Sequence, residues 1–220
     1  MSYSIIIPTM WFANTTLELI QRLIDCEYVH QIIVINNKKD NTPNSNLLDN
    51  SKLTILNQDK NLYVNPSWNL GVKYSTEKNI CILNDDVLFD PNKIFSKVDA
   101  NLLENIGILA TDPISPETEE IELIKMQTWS DVPWGSGCLM CLNKDKYIQI
   151  PESVKIFYGD TFLFKILWKY GVYYNKGLMT NQKHGTTWRN SCNDEFINDV
   201  NKTIQMDHYN WPDVLTNYKL

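Results

Sequence analysis

The sequence predicts an α/β fold, a single domain with a mostly parallel central sheet flanked by helices. Three observations predict it. Short, β-branched apolar runs recur at residues 4–7, 31–35, 52–56 and 79–83. Segments with apolar residues at helical spacing separate them, at 15–26 and 65–74. No internal repeat, low-complexity tract or linker divides the 220 residues. Strands and helices alternating at this spacing favour parallel pairing through right-handed crossovers.

Each element follows from local chemistry. Residues 4–7 form a strand that Pro8 ends, because proline cannot donate to a ladder. The helix over 15–26 carries Leu17, Ile20, Leu23 and Ile24 at helical spacing. A second strand at 31–35 gives way to a polar, turn-rich stretch at 36–50, and a third strand covers 52–56. The helix over 65–74 includes Trp68, Val72 and Tyr74. A fourth strand at 79–83 runs straight into Asn84-Asp85-Asp86, a helix starts near Pro91, and a fifth strand covers 106–110. The second half reads as strands at 120–126 and 137–142, a short helix at 143–148 and an apolar helix at 160–170. Gly171 stops that helix as a natural C-terminal cap. A short strand at 172–174, a loop at 184–189 and a polar helix near 194–207 complete the chain.

Composition narrows the function classes. With 43% apolar and 11% aromatic residues in 25.7 kDa, the chain can bury a core without disulfides. A net charge of −6 and a pI near 5.1 argue against non-specific binding to nucleic acid or acidic membrane. No apolar run approaches the roughly 18 residues that a transmembrane segment needs. The start, MSYSIIIP, has neither a basic region nor a long apolar one, so no signal peptide is expected. Five cysteines suit a reducing compartment better than a disulfide framework, and the expected location is cytoplasmic. Asn (25), Ile (23) and Lys (18) are abundant, which lowers the information in any one of them. Arg22 and Arg189 are the only arginines, so a phosphate ligand must be received mostly by metal, lysine and backbone amides.

Open α/β sheets bind ligands outside the carboxyl ends of their strands. Those positions hold Pro8-Thr9, Asn36-Asn37, residues 57–60 and Asn84-Asp85-Asp86. Neither GxGxxG nor GxxxxGK[ST] occurs, which disfavours a dehydrogenase or a P-loop NTPase. Carboxylates just past a buried strand are costly unless paired or bound to a cation. Hard divalent ions take oxygen ligands and bridge carboxylates to phosphates. The competing reading of Asn84-Asp85-Asp86 is a polar turn capping the next helix. Asp160, at a predicted helix start, is either an N-cap or a carboxylate that the helix dipole keeps ionised. The KHGTTWR loop combines Lys183, His184, Trp188 and Arg189, but a lone loop histidine is also commonly solvated. Trp129, Trp134 and Trp188 fall in loops suited to sugar rings, whereas Trp68 and Trp168 on helices read as core. The Cys138-Cys141 CxxC lacks a second ligand pair, and the sequons at Asn14 and Asn201 mean little in so Asn-rich a chain.

The segments SIIIPT, QIIVINN, NLYVNPSWNLGVKYS, ILNDDV, WGSGCLMCLNKDKY, FYGDTFLFKILWKYG and KHGTT follow one another in this order. In that order and spacing the sequence resembles the family 2 inverting glycosyltransferases of the GT-A, Rossmann-like fold, across most of residues 3–190. The resemblance implies a nucleotide-sugar-binding half (1–110) and an acceptor-binding half (111–220) within one domain of 220 residues. It implies transfer from a nucleoside-diphosphate sugar, a UDP-sugar first of all, to a glycan or lipid-linked acceptor with inversion. Asn84 and Asp86 match the outer positions of the family's DxD triplet, Asp86 as ligand of Mn²⁺ or Mg²⁺ and Asn84 or Asp85 near the ribose or metal. Pro8, Thr9, Asn37 and Asn69 would line the nucleotide, Asp160 would be the base, and His184 would complete the metal shell. Lys183 and Arg189 would offset the diphosphate charge; Asp131, Trp134, Ser136 and Trp188 would face the acceptor. The chain departs from the family pattern at Asn36-Asn37, at Trp68, at Asn84 and in lacking arginines after Gly137. Two alternatives are a non-catalytic glycan- or nucleotide-binding domain and a sugar-1-phosphate nucleotidyltransferase. The latter is disfavoured, since no Gly-rich, Arg-bearing loop grips a triphosphate.

Overall fold

Alternation in the first strand decides how the layers stack. In β1 (Tyr3–Thr9), Tyr3, Ile5 and Ile7 enter one apolar cluster while Ile6 enters a second on the opposite face. The computed structural model describes residues 2–98, 100–178 and 181–182. In chain order the remaining elements are α1 (Thr16–Asp25), β2 (Val29–Asn36), β3 (Leu53–Asn57), α2 (Val64–Tyr74), β4 (Asn79–Leu83) and β5 (Val87–Leu88). Then come α3 (Pro91–Phe95), α4 (Ala100–Asn105), β6 (Ile108–Thr111), β7 (Glu122–Lys125) and β8 (Leu139–Asn143). The last are α5 (Gly159–Leu167), β9 (Val172–Lys176) and β10 (Asn181–Gln182).

Eight strands form one sheet in the order β3-β2-β1-β4-β8-β6-β9-β7. The β3-β2-β1-β4 block is parallel throughout, as is the β6–β9 pair. β8 runs antiparallel to both of its neighbours, and β7 runs antiparallel to β9. Helix α1 contributes Leu19, Ile20 and Leu23 to one side of the sheet, with Phe89 and Phe95. Helices α2 and α5 contribute Trp68, Val72, Phe162, Leu163 and Phe164 to the other. Trp68 is therefore core, as its helical position predicted.

The differences from expectation have local causes. Pro8 does not end β1; it pairs opposite Ile35, because the ladder to β4 already stops at Ile6. The helix expected at 143–148 is a single 3-10 turn at Lys144–Lys146, capped by the Asn143 side chain. The strand expected from 137 starts at Leu139, after a 3-10 turn at Ser136–Cys138. Gly171 ends the helical segment at φ +90°, a conformation that favours glycine. Cys26, Cys81, Cys138 and Cys141 are free and buried, so the CxxC belongs to the core, Cys138 in the turn and Cys141 in β8. Arg22 is occupied by the Phe89 carbonyl (3.0 Å) and Glu18 (2.7 Å). Among the described residues no helix is long and apolar enough to cross a membrane. The expected loop at 184–189 and helix at 194–207 lie outside the described residues.

Candidate functional site

The carboxyl ends of β1, β2 and β4 converge through short polar contacts. The Thr9 hydroxyl donates to Asp85 Oδ2 at 2.5 Å, and the Thr16 hydroxyl reaches the Asp85 carbonyl at 3.2 Å. The Trp11 N–H donates to Thr9 Oγ1 (2.8 Å) from a left-handed backbone, φ +60°. Asn37 follows β2; its N–H donates to the Thr9 carbonyl at 2.8 Å, and its side chain bonds Leu62 N–H and Ser67 Oγ at 3.0 Å each. Asn36 is fully buried and turns its amide to Thr42 and Asn57, both at 2.7 Å. These contacts tie together the loops after the first three strands.

Asp85 and Asp86 are both buried at the end of β4. Burial raises the Asp85 carboxyl to about 7, the Thr9 hydrogen bond opposes that rise, and the adjacent Asp86 charge adds to it. Asn84 is held by its N–H to the Cys138 carbonyl at 3.0 Å, which stitches the triplet to the start of β8.

Asp160 joins this edge from α5. A Cβ on Gly137 would stand 2.4 Å from Asp160 Oδ2, 2.6 Å from its Cβ and 2.8 Å from its Cγ. Only a glycine leaves the carboxylate room there. Next to it, burial pushes the Cys138 thiol up, and the charges of Asp86 and Asp160 push the same way. One thiol thus senses both carboxylates. Asp160 keeps some exposed surface, but protein crowding its carboxyl raises its pKa against the hydrogen bond from the Thr161 N–H (2.7 Å). The helix N-terminus favours the ionised form, and the crowding opposes it.

Asn69 stands elsewhere. Its Nδ2 donates to the Ile150 carbonyl (2.9 Å), and its Oδ1 accepts from Tyr147 Oη (2.8 Å) and the Ile150 N–H (3.0 Å). It fastens the segment after β8 to α2. Two residues that sequence reasoning missed act nearby. Asn65, one turn earlier on α2, is fully buried and bonds the carbonyls of Val154, Lys155 and Phe157. Tyr158 precedes α5 in a left-handed conformation, φ +63°. Nothing marks either residue in so Asn-rich a sequence; Gly137 was visible only as part of the WGSG run.

Of the residues expected to face the acceptor, Ser136 is buried and Trp134 is 80% exposed, two residues apart. Asp131 is exposed and its carboxylate accepts the N–H groups of Gln127 and Thr128, both at 2.7 Å, which lower its pKa. It closes a helical turn. Trp129 lies against Trp168, ring centroids 5.8 Å apart, with Lys165 over its face. Lys183, His184, Trp188 and Arg189 lie outside the described residues. The chain nevertheless returns to the carboxylates just before them, because Gln182 of β10 pairs with Val87.

Among the described residues no group of three His, Cys, Asp or Glu could hold a metal. The donor set at Asp85-Asp86 still fits a hard divalent cation. Two adjacent buried carboxylates, one with its proton affinity raised, are the arrangement that a bound cation relieves.

The family model described as "Glycosyl transferase family 2" matches residues 4–170. No curated protein matches in sequence. Among solved structures, S. aureus TarS is similar at 14% identity and TM-score 0.58, over 82% of this chain and 36% of that one. TarS 1-349 in complex with UDP matches at 13% identity and TM-score 0.55, over 79% and 57%. GalNAc-T7, crystallised with UDP, GalNAc and Mn²⁺, matches at 13% identity and TM-score 0.58, over 82% and 43%. The chain thus spans well under two thirds of each of these structures. At such identities they establish the fold, which is GT-A.

Proposed function

The chain belongs to glycosyl transferase family 2, and from that premise we propose that it transfers a sugar from a nucleoside-diphosphate donor to a hydroxyl acceptor. The observation that carries this reading is the meeting of Asp85-Asp86 and Asp160 on one sheet edge, with Cys138 sensing both Asp86 and Asp160. TarS crystallised with UDP and UDP-GlcNAc, and GalNAc-T7 crystallised with UDP, support a UDP-sugar as donor.

Each residue then has a task. Pro8, Thr9 and Asn37 border the nucleotide, Thr9 and Asn37 already braced by the loops around them. Asn84 and Asp85 stand beside the ribose and diphosphate, with Lys183 and Arg189 as counter-charges. Asp86 and His184 would hold Mn²⁺ or Mg²⁺, which supplies Lewis acidity to the leaving diphosphate. The pairing of Gln182 with Val87 supports His184 as Asp86's partner, since only Lys183 separates it from that pair in the chain. Asp160 takes the proton of the acceptor hydroxyl as it attacks the anomeric carbon from the face opposite the leaving group, which inverts that centre. Its raised pKa makes it a stronger base than an ordinary carboxylate. Trp134, Ser136, Trp188 and Asp131 border a glycan or lipid-linked acceptor, Trp134 through its exposed ring. Residues 1–110 form the donor half and 111–220 the acceptor half of the domain.

Calorimetric titration of UDP, with and without Mn²⁺, tests the reading. Binding should tighten with Mn²⁺ in the natural chain and lose that dependence in Asp86→Ala. Asp160→Asn should keep UDP binding and lose turnover. UDP binding indifferent to Mn²⁺ and to Asp86→Ala would remove the metal role. Turnover surviving Asp160→Asn would remove the base.

A further inference from the structure

We propose that Asn65 is a positioning residue for Asp160: it grips the end of the segment that returns from β8 and so sets where the carboxylate stands. The proposal rests on the reading of Asp160 as base. β8 begins at the active edge, Leu139 opposite Leu83, and ends at the far one, Asn143 opposite Asn79. Asp160 nevertheless lies against Gly137, back where β8 began. Residues 144–158 must therefore recross about 13 Å of sheet, four residue steps of strand. One 3-10 turn at Lys144–Lys146 is their only helical or strand element, so the contacts they make with α2 guide their path.

Helix α2 supplies that grip from one face, through Asn69 and Asn65 four residues apart. Asn69 holds the early part, at Tyr147 and Ile150. Asn65 holds the late part. Its backbone N–H donates to the Lys155 carbonyl (2.9 Å), and its Nδ2 donates to the carbonyls of Val154 (2.9 Å) and Phe157 (3.2 Å). Its Oδ1 is buried without a hydrogen-bond partner and faces Gly159, where an added Cβ would stand 2.1 Å away. The backbone is thus fixed at 154, 155 and 157 and matched in shape at 159. Between those points sits Tyr158 at φ +63°, which a ring-bearing residue adopts only where its surroundings impose it. Asp160 is the next residue after Gly159. An unused buried acceptor is costly in a residue that merely fills space. Here it is explained by the two donors on the same amide, which must point at the loop.

The start of α2 is also tied to the donor side, since Asn37 bonds the Leu62 N–H and Ser67. One helix end therefore anchors both the nucleotide edge and the base.

The intact chain carrying Asn65→Ala or Gly159→Ala, with Asp160→Asn as reference, tests this by four measurements. These are thermal unfolding, UDP calorimetry, UDP release from UDP-GlcNAc, and carbon-13 NMR titration of aspartate carboxyls, Asp160 being the signal missing from Asp160→Asn. Both variants should melt cooperatively and bind UDP within about twofold of the natural chain, as expected if the donor edge is untouched. The Asp160 titration should move toward the ordinary carboxylate range as water reaches it, and UDP release should fall about 10- to 100-fold, the usual cost of a small misplacement. An unmoved Asp160 titration in both variants overturns the proposal. So does loss of the cooperative melt in both, which would make Asn65 a residue of the fold alone. If Asp160→Asn still releases UDP, the base reading fails, and the titration still decides whether Asn65 sets the position of Asp160.

Discussion

Replacing Gly137 by alanine should separate catalytic placement from fold stability. The new Cβ would stand 2.4 Å from Asp160 Oδ2 and 2.6 Å from Asp160 Cβ. Rotating the carboxyl group away relieves the first contact but not the second, because Asp160 Cβ moves only with the backbone. Restoring an ordinary separation needs a shift of about 0.8 to 1 Å between the start of β8 and the first turn of α5. Overpacking of this kind costs about 1–3 kcal/mol. For a chain of this size that lowers Tm by roughly 2–12 °C, at 2–4 °C per kcal/mol. A misplacement near 1 Å costs on the order of 100-fold in rate, about 2.7 kcal/mol on the barrier. UDP affinity should stay within about twofold, because the residues bordering the nucleotide are not displaced. Thermal unfolding, UDP calorimetry and UDP release from a donor sugar, run side by side, give the three numbers. A kcat within about twofold of the natural value, with Asp160 still required, would refute the idea that the Gly137 contact sets the carboxylate.

Three further outcomes are expected. Asp85 is protonated more readily folded than unfolded, so the stability it contributes is fully present below about pH 4 and is lost as pH rises toward 7. Asp85→Asn should therefore melt higher than the natural chain at pH 8 without metal, with the gap closing below pH 5; a gap that widens in acid would reverse the sign. Asn69→Ala should lower stability by about 2–3 kcal/mol through three lost hydrogen bonds, with UDP affinity unchanged by calorimetry. Trp134→Ala should leave Tm within about 2 °C, since the ring is 80% exposed, while raising KM for acceptor sugars.

What the sequence disclosed follows from how strongly each feature repeats. β1, β2 and β4 are runs of buried Ile, Val and Leu, and such runs read as strands wherever they occur. The DxD-like triplet was legible because acid residues directly after an apolar strand need a reason. Strand direction was not, since Leu139–Asn143 has the same composition whether it runs with β4 or against it. The contacts of Asn69 were hidden for a different cause. Its helix was found, but which side chains meet Tyr147 and Ile150 is decided by a segment with no periodicity of its own. Asn65 and Tyr158 are set by long-range backbone contacts, and no spacing in the sequence encodes those. Asp160 was singled out by the family resemblance and its place before an apolar helix, whereas the room its carboxylate has beside Gly137 comes from a contact between distant segments.

The insertion of β8 between β4 and β6 also fixes an order of events during synthesis. The parallel block β3-β2-β1-β4 is complete by Leu83, but β4 acquires its second neighbour only when Leu139 and the residues after it have emerged. Until then Asn79-Ile-Cys-Ile-Leu83 is an open, almost wholly apolar strand edge, the type of segment that pairs with copies of itself. A nascent chain stalled in the intervening residues, or a fragment cut there, carries that edge uncovered. Solubility of any truncated version thus depends on retaining residues 139–143, whatever becomes of the active edge.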